Sequence, residues 1–192
     1  MTKIFFVRHA QPEYNHADDR TRPLTEEGLV DTKIVVETLK DKEIDAFYCS
    51  PYKRSIDTIQ GVADYYGMNI KTDERFRERE KGADGNNHGM FRKRWEDHDY
   101  HEYGGESIRM VQERNIEALN DILKNNIGKN IVIGTHGTAL STIMNYYDSA
   151  FGCEDFLRIV DWMPYIVEMD FEGQKLIKIT EHAYIEKEFK GK

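Results

Sequence analysis

The sequence predicts an α/β protein organised on a mostly parallel sheet, and three observations carry that prediction. The short apolar runs Lys3-Ile4-Phe5-Phe6-Val7, Asp45-Ala46-Phe47-Tyr48-Cys49 and Asn130-Ile131-Val132-Ile133-Gly134-Thr135 read as strands buried on both faces. Each leads into a stretch with helix-start chemistry, the βα order that makes neighbouring strands parallel. Near the end of the chain, Pro164 to Phe171 and Leu176 to Ala183 alternate about a turn at Gly173, which predicts a hairpin closing the sheet. No linker, repeat or low-complexity tract interrupts the 192 residues, so 1–192 reads as a single domain, long enough for one sizeable core.

The first strand stops at Arg8-His9-Ala10-Gln11-Pro12. In open α/β sheets ligands bind beyond the carboxyl ends of the strands, so a guanidinium and an imidazole placed there face a crevice. An arginine matches phosphate in a two-pronged way, and a neutral imidazole is a good nucleophile. Alone, the pair reads better as a strand-end histidine bonded to backbone.

After a polar loop over residues 13–22, Thr25 is a fair helix cap with Glu26 and Glu27 in the first turn, and the predicted helix runs to about Lys40. Beyond the second strand, Ser50 as cap and Pro51 at the first helical position predict the next helix start. Its apolar face is Ile56, Ile59, Ala63 and Tyr66, it ends at Gly67, and Arg54 lies in its first turns. A short extended piece follows at 69–71, then the charge-dense run Glu74 to Gly82. Such runs are mostly solvated faces. Residues 82–105 mix aromatics, histidines and charges without periodicity, and predict an excursion over the sheet edge, an inserted lid or substrate wall. Gly104-Gly105-Glu106-Ser107 opens a helix whose stripe is Ile108, Val111, Ile116, Leu119, Ile122 and Leu123. His136-Gly137-Thr138 directly follows the third strand and starts a further helix carrying Leu140, Ile143 and Met144.

Composition limits the function classes. Lys and Arg number 27 against 35 Asp and Glu, a net charge of −8 with pI about 5.4, so neither nucleic acid nor an anionic membrane is an expected partner. No apolar run is long enough to span a bilayer, and the first strand begins too early for a secretory leader. Cys49 and Cys153 stand alone, in no metal spacing, and suit reduced thiols in a cytoplasmic protein. The sequence leaves room for a homodimer without requiring one.

Three strand ends therefore deliver Arg8 with His9, Arg54, and His136: two arginines and two histidines in an otherwise acidic chain, which suits a phosphate. The ordered series resembles the histidine phosphatase superfamily, with its phosphoglycerate mutase-like fold. Arg8-His9-Ala10 stands where that family has Arg-His-Gly, and Asn15 falls seven residues after the arginine. Leu24-Thr25-x-x-Gly28, Ser50-Pro51-x-x-Arg54-x-x-x-Thr58, Phe76-Arg77-Glu78, Gly105-Glu106-Ser107 and His136-Gly137 follow in family order, from residue 4 to about 145. Ala10 for glycine and Pro12 for the frequent threonine depart from the pattern.

The resemblance implies a three-layer α/β/α sandwich and a metal-independent, cofactor-free phosphatase working through a phosphohistidine on His9. Arg8, Arg54, His136, Asn15 and Gly137 would bind the phosphate, and Glu78 would serve as proton donor, with Glu80 as its rival. Arg22, Arg79 and His88 are candidate substrate contacts. The substrate would be a small phosphorylated metabolite or a phosphoprotein. The spelling Asp19-x-x-Arg22-Pro23-Leu24-Thr25 resembles short members acting on protein phosphohistidine, while the length argues against the mutase branch. A phosphomutase and a non-catalytic phospholigand-binding module are the alternatives. A metal site at Asp97-His98-x-x-His101-Glu102 is a third.

Overall fold

A computed structural model describes residues 1–83 and 88–188. Its centre is a six-stranded sheet in the order β3-β2-β4-β1-β5-β6. The strands are β1 (Thr2–Arg8), β2 (Ala46–Cys49), β3 (Ile70–Thr72), β4 (Asn130–Thr135), β5 (Trp162–Glu172) and β6 (Lys175–Glu186). β3, β2, β4 and β1 run parallel, and the β5–β6 hairpin adds two antiparallel strands beside β1. The mostly parallel sheet and the closing hairpin are as the sequence predicts.

Alternate residues of the doubly buried strands feed two apolar layers, which is why these runs are apolar throughout. Phe5 and Val7 of β1 join Phe47, Cys49 and Val132 under α2 (Lys33–Leu39) and α3 (Lys53–Tyr66). Ile4 and Phe6 join Ile131, Ile133, Val167 and Met169 under α5 (Ile108–Asn125), α6 (Gly137–Tyr147) and α7 (Cys153–Ile159). The result is the three-layer α/β/α arrangement. The α5 stripe predicted from its spacing is buried throughout.

Local expectations need correction in two helices. The helix expected from Thr25 to Lys40 is interrupted at Thr32, giving α1 (Glu26–Asp31) and α2. Thr25 does cap α1, accepting from the Gly28 N–H. Ser50 does not cap α3, which begins at Lys53 after Tyr52, with Pro51 outside the helix. Of residues 82–105, the described part includes α4 (His88–Glu96), whose Phe91 and Trp95 pack on Phe156 of α7. α7 itself has no counterpart among the predicted elements. Its seven residues are too few to show a helical period. Among the described residues, no helix is long and apolar enough to cross a membrane.

Candidate active site

The site sits at the carboxyl ends of β1, β2 and β4, where register brings three chain segments together. Arg8 is paired with Thr135, so His9 and His136 leave adjacent strand ends. Their rings meet edge to face with centroids 5.2 Å apart. Arg54, on the first turn of α3, donates from Nε to His9 Nε2 at 3.3 Å. All four side chains are buried.

The carbonyl that orients His9 is that of its own neighbour: His9 Nδ1 donates to Ala10 O at 2.7 Å. The Ala10 N–H in turn donates to Thr58 Oγ1 at 2.9 Å, and that hydroxyl donates to the Arg54 carbonyl. Thr58 thus ties the peptide after the nucleophile candidate to the turn that carries Arg54. With its proton on Nδ1, His9 presents a bare Nε2. Burial first, then the charges of Arg54 and Arg8, hold the His9 imidazolium well below the usual range.

Arg8 continues the Ile4–Phe6 face of its strand and anchors Nη1 on the carbonyls of Ile159, at 2.6 Å, and Trp162, at 3.1 Å. Its Nε is buried without a hydrogen bond. Gly137 leaves the space this guanidinium fills; a Cβ there would press on Arg8 Cζ, Nε and Nη2, each at 3.2 Å. Gly28 has a related purpose. A side chain there would collide with the Gln11 carbonyl, so glycine lets α1 press against the loop leaving His9.

His136 is the N-cap of α6 and fully buried. Its Nε2 lies 2.7 Å from Ser50 Oγ, while its Nδ1 has no partner. The Tyr52 ring meets its edge at 5.2 Å and lies against the Arg54 guanidinium at 5.0 Å. Burial, followed by Arg54 and His9, also keeps the His136 imidazolium well below its ordinary value.

Glu78 reaches the same end of the sheet from the segment after β3. Its carboxylate accepts from the N–H groups of Thr138 and Ala139 in the first turn of α6, both at 3.1 Å, and from the Arg79 N–H at 2.8 Å. A carboxylate is favoured at a helix N-terminus. The segment is fixed from α5. Arg114 donates to the carbonyls of Arg75, Arg77 and Glu78 and is bridged by Glu106, which also takes the Arg77 guanidinium and the Glu80 N–H. Glu80 itself is exposed.

The remaining candidates divide. Arg22 joins the crevice through Asp19, whose carboxylate lies 2.7 Å from Arg22 and 3.3 Å from Arg54, and whose carbonyl accepts from Arg54 at 2.6 Å. Asn15 is exposed, its backbone N–H donates to Glu13, and among the described residues it makes no hydrogen bond to His9, Arg8, Arg54 or His136. Arg79 is buried beside Glu102, which is itself ion-paired with buried Arg94, and its Nη1 donates to backbone carbonyls of Glu80 and Glu106. The side chain of His88 lies outside the described residues. The alternative metal site is not assembled, because Glu102 is occupied by arginine. Among the described residues no three His, Cys, Asp or Glu groups converge for an ion.

Ser50, Tyr52, Asp19 and Arg114 were not singled out for the site from the sequence. Ser50 and Asp19 stood inside quoted motifs, but Ser50 before a proline matches a helix cap equally well, and Asp19 was read only for the spelling of its loop.

The sequence profile of the histidine phosphatase superfamily (branch 1) matches residues 4–160. Phosphoserine phosphatase 1 of Hydrogenobacter thermophilus is 26% identical over 157 residues, covering 71% of each chain. Among solved structures, Bacillus stearothermophilus YhfR superposes with a TM-score of 0.75 at 25% identity, over 92% of this chain and 95% of the other. A phosphoserine phosphatase from Entamoeba histolytica, in complex with 3-phosphoglyceric acid, shares the fold. Its TM-score is 0.77 at 23% identity, covering 95% and 98% of the two chains.

Proposed function

Because the chain belongs to the histidine phosphatase superfamily (branch 1), we propose that it hydrolyses small phosphomonoesters through a phosphohistidine formed on His9. One observation carries this reading: His9 donates its single ring proton to Ala10 O, so its Nε2 lone pair is turned to Arg54 in a buried, cationic crevice shared with His136.

In the first half-reaction, Nε2 of neutral His9 attacks phosphorus, and the bond from phosphorus to the ester oxygen breaks. Arg8 and Arg54 balance the charge on the non-bridging oxygens and neutral His136 adds a hydrogen bond, the role that fixed donors fill in phosphoryl transfer. Asp19 sits on Arg54, so the incoming phosphate competes with that carboxylate for the guanidinium. Glu78 in its protonated form gives its proton to the departing oxygen. In the second half-reaction the Glu78 carboxylate takes a proton from water, the water oxygen attacks phosphorus, and the phosphorus–nitrogen bond breaks. Inorganic phosphate leaves and His9 is neutral again. Every cation in this scheme is a side chain, so the reaction proceeds without a metal.

The substrate class is a small phosphorylated metabolite. The phosphoserine phosphatase among the relatives makes phosphoserine the first compound to try. Inorganic phosphate release is to be measured on an aryl phosphate, a panel including phosphoserine and 3-phosphoglycerate, and a phosphohistidine protein, with and without chelator. Wild type should release phosphate without an isomerised product and keep its rate in chelator. His9→Ala should lose at least about 1,000-fold, the scale of deleting a nucleophile. An unchanged rate in His9→Ala, or a product that retains the phosphate at a new position, would overturn the scheme.

A further inference from the structure

We infer that Ser50 is a positioning residue that sets the tautomer of His136: its hydroxyl donates to His136 Nε2 and so places that ring's one proton on Nδ1, where it is offered to the phosphoryl group. The inference rests on the phosphoryl-transfer reading and adds a residue that reading does not use.

His136 is fully buried between Arg54, Arg8 and His9, surroundings that oppose a second ring proton. A neutral imidazole has one N–H and one bare nitrogen, and phosphoryl oxygens only accept. His136 therefore contributes a donor only when its N–H is on the nitrogen free to meet the ligand. Nε2 is taken, with Ser50 Oγ at 2.7 Å. Nδ1 is buried with no partner in the resting protein, at a site where an orphan polar atom is costly. A ligand oxygen on Nδ1–H removes that orphan.

Ser50 is held for this task. Its N–H donates to Gly134 O at 2.9 Å, which locks the end of β2 to the end of β4 just before His136. Its Oγ accepts weakly from the Tyr52 N–H at 3.3 Å, leaving the hydroxyl proton for the imidazole. The Tyr52 ring closes one side of His136. The same logic operates at His9, where the Ala10 carbonyl fixes the opposite outcome: its bare nitrogen faces the reaction. One imidazole is set to give electrons and the other to give a hydrogen bond, each by one oxygen on its far side.

The test reads the tautomer directly. Long-range 1H–15N correlation on protein with labelled histidine, with His136 assigned by its loss in His136→Gln, should show Nδ1 protonated and Nε2 bare in substrate-free wild type. Ser50→Ala should shift His136 toward the Nε2–H form and lower both kcat and the affinity for inorganic phosphate, by about 10- to 100-fold, the scale for losing a partner behind a functional ligand. Ser50→Thr, which keeps the hydroxyl, should restore the wild-type tautomer. An Nε2–H tautomer in wild type overturns the inference, as does Ser50→Ala with Nδ1 still protonated and kcat unchanged. The wild-type spectrum decides even where Ser50→Ala fails to fold. An inactive wild type with the expected tautomer would instead strike the phosphatase reading alone.

Discussion

At the scale of single residues, charge state is set by surroundings more than by sequence neighbours. The sequence points to Arg8 and Arg54 as the groups keeping His9 neutral, yet burial is the larger cause, with the two arginines adding to it. The sign of the pH dependence follows. Both His9 and His136 have folded-state values below the ordinary 6.5 of the unfolded chain, so the unfolded state takes up protons first as pH falls. Stability against urea should be undiminished by these groups above about pH 6.5 and drop progressively below it. Ring signals of His9 and His136 should remain those of neutral imidazoles at about pH 6; protonated rings there would contradict the burial argument. Arg8, His9, Arg54 and His136 were legible because each follows a strand in the sequence. Asp19 was not, because its role depends on a loop folding back over Arg54, and nothing local encodes that return.

Among the elements, the segment from Glu74 to Glu80 shows how a solvated-looking charge run becomes a fixed part of the site. Its alternating charges read as surface, and several are half-buried because α5 supplies the complement in Arg114 and Glu106. Arg114→Ala removes donors from the carbonyls of Arg75, Arg77 and Glu78. It should lower kcat by about 10- to 100-fold with a smaller change in KM, since in the proposed scheme Glu78 serves the leaving oxygen rather than binding. A variant with KM raised and kcat intact would argue that Glu78 is not the proton donor. Strand positions were readable in advance because a doubly buried strand leaves an unbroken apolar run. The break at Thr32 was not readable, because Thr32 retains helical φ and ψ of −60° and −19° and no glycine or proline marks it.

For the whole molecule, the apolar layers and the site are separable. Leu119 lies wholly buried in the middle of α5, facing the layer beneath α5 and α6. Leu119→Ala should cost about 2–5 kcal/mol in urea or thermal unfolding through a residual cavity. KM for an aryl phosphate at a temperature where the variant is folded should stay near wild type. A large KM change would mean that the layer and the crevice are coupled. The fold class was visible in the order of strands and helices. The placement of α4 on α7 was not, because Phe91 and Trp95 find Phe156 across some sixty residues of sequence.

The strand order has a consequence for how the protein comes into being. β1 carries Arg8 and His9 at its end, yet both of its neighbours, β4 and β5, begin only at residues 130 and 162. A nascent chain emerging from the ribosome thus holds this strand unsatisfied along both edges until residue 130 and beyond have been made. Closing so long a loop is slow. Phosphate recognition therefore arises late in synthesis, and fragments ending before residue 130 should bind none.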